Sequence, residues 1–150
     1  MLTTQHSSGW VSAVLRAGLA VGVLGVAVVT PANAASVERA APARLEASLK
    51  PSGDANGSGE AHFTLNKARH RVCAHVEWRG IEAPDAAHIH KRSDGSIVVD
   101  LVGSVTDGSN CATGVPGALI DKILARPGKY YFNVHNPTYP AGAIEGRLHR

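Results

Sequence analysis

HRVCAHVEW, at residues 70–78, is the stretch that decides the fold. Apolar side chains recur in it at every second position, namely Val72, Ala74, Val76 and Trp78. Because successive side chains of a β-strand point to opposite sides, this period of two predicts a strand with one buried face. The opposite face carries Cys73, His75 and Glu77. The same apolar period of two identifies candidate strands in the rest of the chain.

Similar alternation appears on both sides of this stretch. It predicts further strands at residues 44–49, 61–65, 86–90, 97–101, 130–135 and 144–148. Asp94-Gly95 is typical of a hairpin turn, and apolar residues at helical spacing predict one short helix over 118–125. Residues 102–117, rich in Gly, Ser and Thr, are expected to form a long loop. About seven short strands with one short helix indicate an all-β fold, an antiparallel β-sandwich with Greek-key connections.

The N-terminus has the organisation of a cleavable signal peptide. Arg16 precedes an uncharged apolar run of 13 residues at 17–29, and Pro31-Ala32-Asn33-Ala34 follows it. The run is shorter than the about 20 residues that a helix needs to cross a bilayer. Small residues at the −3 and −1 positions place the cleavage after Ala34. We therefore predict a secreted protein with no stable membrane span after cleavage, the alternative being a retained N-terminal anchor.

Cleavage would leave residues 35–150, which is the size of one small domain. We expect a flexible leader over residues 35–43 and a single β-sandwich domain over residues 44–150. This part keeps 14 of the 15 basic residues and all 12 acidic ones. The two signs are intermixed, so a nucleic-acid-binding surface is not expected. The expected partner is an extracellular protein, a glycan or a component of the cell envelope.

Cys73 and Cys111 are the only two cysteines of the chain. An even pair in an exported protein is typical of a disulfide. Closing a loop of this length contributes about 3–4 kcal/mol of stability in the chain-entropy treatment. Two metal thiolates are the alternative, although no C-x-x-C spacing supports them. The sequence predicts a Cys73–Cys111 bridge that fixes the long loop to the third strand.

The densest group of chemically versatile residues is His88-Ile89-His90 together with Asn133-Val134-His135. Residues i and i+2 of a strand share a face, so both imidazoles of an H-x-H can reach one ion. If the two strands pair, then His88, His90 and His135 can converge as an open zinc or copper site, with His75 as a possible fourth member. The alternative is structural, because histidines beside turns often bind backbone carbonyls and hold a loop. The other histidines after the signal peptide are expected on solvated faces or near chain ends, namely His62, His70 and His149.

No established set of catalytic residues can be recognised in the chain. A G-x-S-x-G nucleophile elbow is absent. Asp85 and Asp94 flank the H-x-H segment and could act as an acid–base pair in a hydrolase, but such residues are more often turn caps. A non-enzymatic binding module is therefore favoured over an enzyme.

The strings AAHIH, IVVDL and YYFNVHNPTYPAGAIEGRL together resemble the chordin-type (CHRD) domain family. The family pairs an A-H-I-H motif with a later Y-x-N-x-H segment, a P-x-G and a closing R-G-Q-L. The resemblance covers about residues 44–148. The family positions that it assigns a structural role here are Asn133, Pro140, Gly142, Gly146 and Leu148. The chain departs from the family at Lys91-Arg92-Ser93, where a glycine is usual, and in its closing motif IEGRL.

This resemblance implies a small secreted microbial single-domain protein, with an immunoglobulin-like β-sandwich and no assigned activity. In chordin, such domains belong to a secreted antagonist of growth-factor signalling. The H-x-H strand is also similar to one feature of copper–zinc superoxide dismutase. Two functions are thus predicted: an extracellular interaction module of unassigned ligand, or a zinc- or copper-binding β-sandwich that could be redox-active.

Overall fold

The computed structural model describes residues 41–106 and 109–150. The proposed signal peptide at 1–34 and most of the proposed leader lie outside the described residues. In the described part, no helix has both the length and the apolar character needed to cross a membrane.

The described residues form eight strands, and all of their pairings are antiparallel. They are β1 Ala43–Pro51, β2 Ser58–Asn66, β3 Arg71–Arg79, β4 Ala86–Lys91, β5 Ile97–Asp100, β6 Ser109–Thr113, β7 Tyr130–His135 and β8 Ile144–Arg147. Two short helices accompany them, α1 Gly103–Thr106 and α2 Gly117–Ala125. Single 3-10 turns are present at Lys67–Arg69 and Pro127–Lys129. The predicted all-β antiparallel fold is confirmed.

The strands form one continuous sheet in the order β5-β4-β7-β8-β1-β2-β3-β6. One half, β1, β2, β3 and β6, is joined to the other where Lys50 and Pro51 at the end of β1 pair with β8, and by an isolated bridge between Glu46 and His149. The neighbours β4–β7, β8–β1 and β3–β6 are not consecutive in the chain, so the connections between them cross from one strand to another. This layout agrees with the predicted sandwich-like architecture.

The core lies between the two halves of the sheet. Phe63 of β2 and Phe132 of β7 meet edge to face, with ring centroids 5.1 Å apart, an arrangement that aromatic pairs prefer. On β3 the predicted alternation holds, because Val72, Ala74 and Val76 are buried. Since the inward positions of both halves are filled by apolar side chains, the polar positions of each strand are left on the outer faces.

The segment at residues 102–117 differs from its prediction as a long loop. It contains α1 and β6, and β6 pairs with β3 so that Cys111 lies directly opposite Cys73. The two cysteines form the predicted disulfide. The strand was missed because SNCAT has no apolar alternation and none of its side chains is fully buried. The expected single helix is present as α2, and α1 adds a second.

The turn between β4 and β5 agrees with its prediction. Asp94 accepts hydrogen bonds from the backbone N–H and the hydroxyl of Ser96, and it pairs with Lys91 at 2.8 Å. Gly95 has a φ of 71°, which glycine adopts without the strain that a side chain brings. The hydrogen bond from Lys91, followed by those from Ser96, lowers the pKa of the Asp94 carboxyl. Asp94 therefore has the role of a turn residue.

Candidate metal centre

The three candidate ligands come from two neighbouring strands. β4 and β7 pair with Ala86 opposite His135, His88 opposite Asn133, and His90 opposite Tyr131. Since Ala87, Ile89, Phe132 and Val134 occupy the core, the alternation of the strands places the histidines on the outer face. His135 is therefore a diagonal neighbour of His88, and the condition set for convergence, that the two His-bearing strands pair, is met.

His88, His90 and His135 converge. One nitrogen from each ring can be chosen so that all three lie within 4.8 Å of one another. The closest pair is His88 Nδ1 and His135 Nε2, at 3.1 Å. For metal–nitrogen bonds of about 2.0–2.1 Å, that separation corresponds to a ligand–metal–ligand angle of about 98°. The spacing of these two nitrogens fits a tetrahedral or related site.

Two backbone carbonyls determine which ring nitrogens of His90 and His135 can bind a metal. His90 Nδ1 lies 2.9 Å from the Gly95 carbonyl oxygen, and His135 Nδ1 lies 3.1 Å from the Pro140 carbonyl oxygen. A carbonyl oxygen only accepts, so each Nδ1 must carry the proton, and in the neutral rings Nε2 keeps its lone pair. Both histidines are thus prepared to ligate through Nε2, as metal-binding histidines are when a second group holds the other nitrogen.

The Nε2 atom of His90 is buried and has no hydrogen-bond partner among the described residues. Leaving such a group unsatisfied costs about 1–3 kcal/mol. The side chain cannot easily turn away, because Tyr131 stacks on its ring with centroids 5.0 Å apart. A cation at the centre of the three rings would satisfy this lone pair, so the residues present fit a metal ion.

The rings also favour the neutral state that a metal requires. Burial lowers the pKa of His88 below its ordinary value, and the neighbouring His135 lowers it further. Burial likewise lowers the pKa of His135, against an opposing contribution from its bond to Pro140. Neutral imidazole is the ligating form. Near neutral pH, protons therefore compete only weakly for these two side chains.

A model of the CHRD domain matches residues 40–148 of this chain. The chain belongs to the CHRD domain family. Searches of curated proteins and of solved structures gave no match. CHRD domains are extracellular, and the disulfide between β3 and β6 is in keeping with that setting.

The residues of the closing family motif organise the loop that carries His135. Asn133 is buried and donates to the Ala141 carbonyl at 3.1 Å. Gly142 has a φ of 130°, and a side chain there would collide with the Asn133 amide. Pro140 supplies the carbonyl that orients His135. These contacts give the CHRD motif a physical role, which is to hold the 136–143 loop against β7.

The last two motif positions, Gly146 and Leu148, contribute to packing at the C-terminal end of the domain. A side chain at Gly146 would collide with the Ser48 carbonyl of β1, so glycine permits the close approach of β8 to β1. Leu148 is fully buried in the core. Both contacts are structural, and neither reaches the histidine cluster directly.

The other histidines of this CHRD domain lie elsewhere. His75, the suggested fourth ligand, is on β3, opposite His62 on β2 and 3.6 Å from Glu77. It is not part of the cluster, because its outward face belongs to the other half of the sheet. His62, His70 and His149 are exposed, as expected.

Sequence reasoning missed several neighbours of the centre. Tyr131 covers His90, and Asp100 of β5 lies opposite His88 in the strand register. The charge of Asp100 partly opposes the fall in the pKa of His88. Burial, and then the nearby Glu145, raise the pKa of Tyr131. The signal that could have found these residues is the period of two on adjacent strands, once the register of β4 with β5 and β7 is known.

Three neutral imidazoles give a particular kind of metal site. Zinc and copper both accept imidazole nitrogen. Three protein ligands leave at least one coordination position for water or another ligand, as in catalytic rather than structural zinc sites. Since the ligands carry no charge, a bound divalent ion would keep its positive charge and attract an anion to that position.

Proposed function

We propose that this protein is an exported CHRD module that binds zinc or copper through His88, His90 and His135. The observation that carries the proposal is the buried, unpartnered Nε2 of His90, which is oriented by the Gly95 carbonyl in a cluster of three convergent imidazoles. The domain presents this centre on its outer face, where an extracellular protein, a glycan or an envelope component could reach it.

A purely structural histidine cluster would have a different pattern of hydrogen bonds at its ring nitrogens. Loop-holding histidines satisfy both ring nitrogens or expose one to water. Here His90 uses only Nδ1, for a loop carbonyl, and its buried Nε2 has no partner among the described residues. The Nε2 of His135 accepts a hydrogen bond from the Nδ1–H of His88, and a metal ion would replace the proton between these two rings. The loop contacts and the metal centre are therefore complementary, since each carbonyl prepares the ring that it holds.

The test is metal binding by protein purified without a histidine tag and treated with a chelator. Titration calorimetry with Zn²⁺ and with Cu²⁺ should give one tight site. At 100 times the dissociation constant, the metal should stabilise the fold by about 2.7 kcal/mol. For a domain of this size, that corresponds to a rise in the melting temperature of about 10 °C.

The matched variants are two pairs of histidines. His88→Ala/His90→Ala should abolish the tight site and the thermal shift, whereas His62→Ala/His75→Ala should keep both. The control pair is suited to the purpose because His62 and His75 are also direct cross-strand neighbours. His135→Gln serves as a third variant, in case the loss of the buried His90 ring unfolds the domain. Equal binding by all variants would overturn the proposal.

A further inference from the structure

A groove of about 750 Å³ crosses the outer face of the sheet beside the histidine centre. Its lining includes Lys50 of β1, Arg92 after β4, Tyr131 of β7, and Glu145 and Arg147 of β8. Tyr131 belongs to both places, since one face of its ring stacks on His90. The volume lies within the range of about 300–1,000 Å³ that is usual for small-ligand sites.

The groove carries an excess of positive charge. Lys50, Arg92 and Arg147 face a single carboxylate, Glu145. Among the described residues, none of these three cations has a carboxylate oxygen within 4.0 Å, whereas Lys67 and Lys91 are each paired with an aspartate. The side chain of Arg92 makes only a long hydrogen bond of 3.4 Å, to the Gly128 carbonyl. The charges of the groove are therefore available to a ligand.

The type of cation indicates the type of ligand. A guanidinium presents a planar fork of N–H donors that matches the oxygens of a carboxylate or a phosphate, often with two parallel hydrogen bonds. Two such forks, Arg92 and Arg147, line one groove together with a lysine. The small residues Ser48 and Gly146 also line it and leave space between the longer side chains.

A second groove of the same protein provides the contrast. It is lined by Ser58, Gly59, Glu60, Glu77 and Arg79, so its one cation is outnumbered by carboxylates. Two further depressions are also cationic: one is lined by Lys91, Lys122, Arg126 and Lys129, and the other by Arg44, Arg150 and Glu46. These have volumes of about 340 and 330 Å³, so the groove beside the histidine centre differs from them in its larger volume of about 750 Å³, and from the second groove in its charge.

From this arrangement we infer that the Arg92–Arg147 groove is a binding site for small oxyanions, namely molecules that carry a carboxylate or a phosphate group. The arginines and Lys50 bind the anionic group, and Tyr131 forms the wall between it and His90. This site needs no metal ion, so it goes beyond the function proposed above. If a metal is bound, Tyr131 separates the anion from the metal-binding side chain of His90.

The experiment is a titration of the metal-free protein, kept in EDTA, with inorganic phosphate and separately with succinate. It is followed by the backbone amide signals of Tyr131 and Arg147 in two-dimensional NMR. We expect saturable shifts with a dissociation constant of about 1 mM for at least one of the two anions. The anion that binds more tightly identifies the preferred group.

Two double variants distinguish a site from general attraction. Arg92→Ala/Arg147→Ala should weaken binding by at least about tenfold. Arg69→Ala/Arg79→Ala, which removes the same charge from exposed positions elsewhere, should change it less than about twofold. Thermal melts confirm that both variants fold, and Arg92→Lys/Arg147→Lys should recover part of the affinity. Absence of saturation below about 10 mM, or equal weakening by both alanine pairs, would overturn the inference.

Discussion

Removal of the Cys73–Cys111 bridge should destabilise the domain by an amount that can be worked out from its position. The cysteines are 38 residues apart, and in the chain-entropy treatment a loop of that length corresponds to about 3.9 kcal/mol at 25 °C. Little else compensates, because β6 is the terminal strand of the sheet and has no fully buried side chain. At about 4 °C per kcal/mol, the melting temperature of Cys73→Ala/Cys111→Ala should fall by about 15 °C.

Urea unfolding followed by circular dichroism measures this loss. The wild-type protein in reducing buffer is the natural control, since it loses the bridge but keeps both side chains. It should agree with the double variant within about 0.5 kcal/mol. A loss below about 1 kcal/mol in both cases would refute the reasoning. It would mean that residual structure in the unfolded chain already restricts the loop.

Two further predictions concern acidity and processing. The pKa of His88 and that of His135 are lowered in the folded state, so the unfolded chain takes up protons first as the pH falls through about 6.5. The free energy of unfolding of metal-free protein should therefore be highest above that pH and should decrease on acidification. Urea curves at pH 7.5 and 5.5 measure the decrease, and a His88→Asn/His135→Asn variant should show less of it. For export, the intact mass of the secreted protein should correspond to a chain that begins at Ala35, whereas an unprocessed mass would contradict cleavage after Ala34.

Much of the fold could be predicted because it depends on local alternation. The strand faces of β1, β2, β3 and β7 follow directly from residues two positions apart, such as Phe63 and Leu65. The edge strand β6 could not be found in this way, since an edge strand with short polar side chains has no apolar period. What holds it is a covalent bond and a ladder to β3, and neither has a local signature.

The site could be predicted in part for a similar reason. The H-x-H motif places two candidate ligands on one face of β4. A third histidine, on β7, joins them as soon as β4 and β7 pair. The exclusion of His75 required the global topology, which places β3 in the other half of the sheet. The carbonyls of Gly95 and Pro140 were beyond sequence reasoning, because every residue carries the same backbone oxygen and only the folded loops select two of them.

The position of β1 in the strand order determines when the sheet can be completed during synthesis of the chain. The first strand of the domain lies between β2 and β8, which is the last. While the chain is being made, β1 can pair with β2 early, but its second partner emerges only after nearly all of the domain has been synthesised. Completion of the sheet thus waits for the most distant pairing in the molecule, and such pairings form slowly. A polypeptide that has to be threaded through a translocation pore must stay unfolded on the way. For the export proposed for this chain, closure by the final strand would place completion of the sheet after passage of the whole chain.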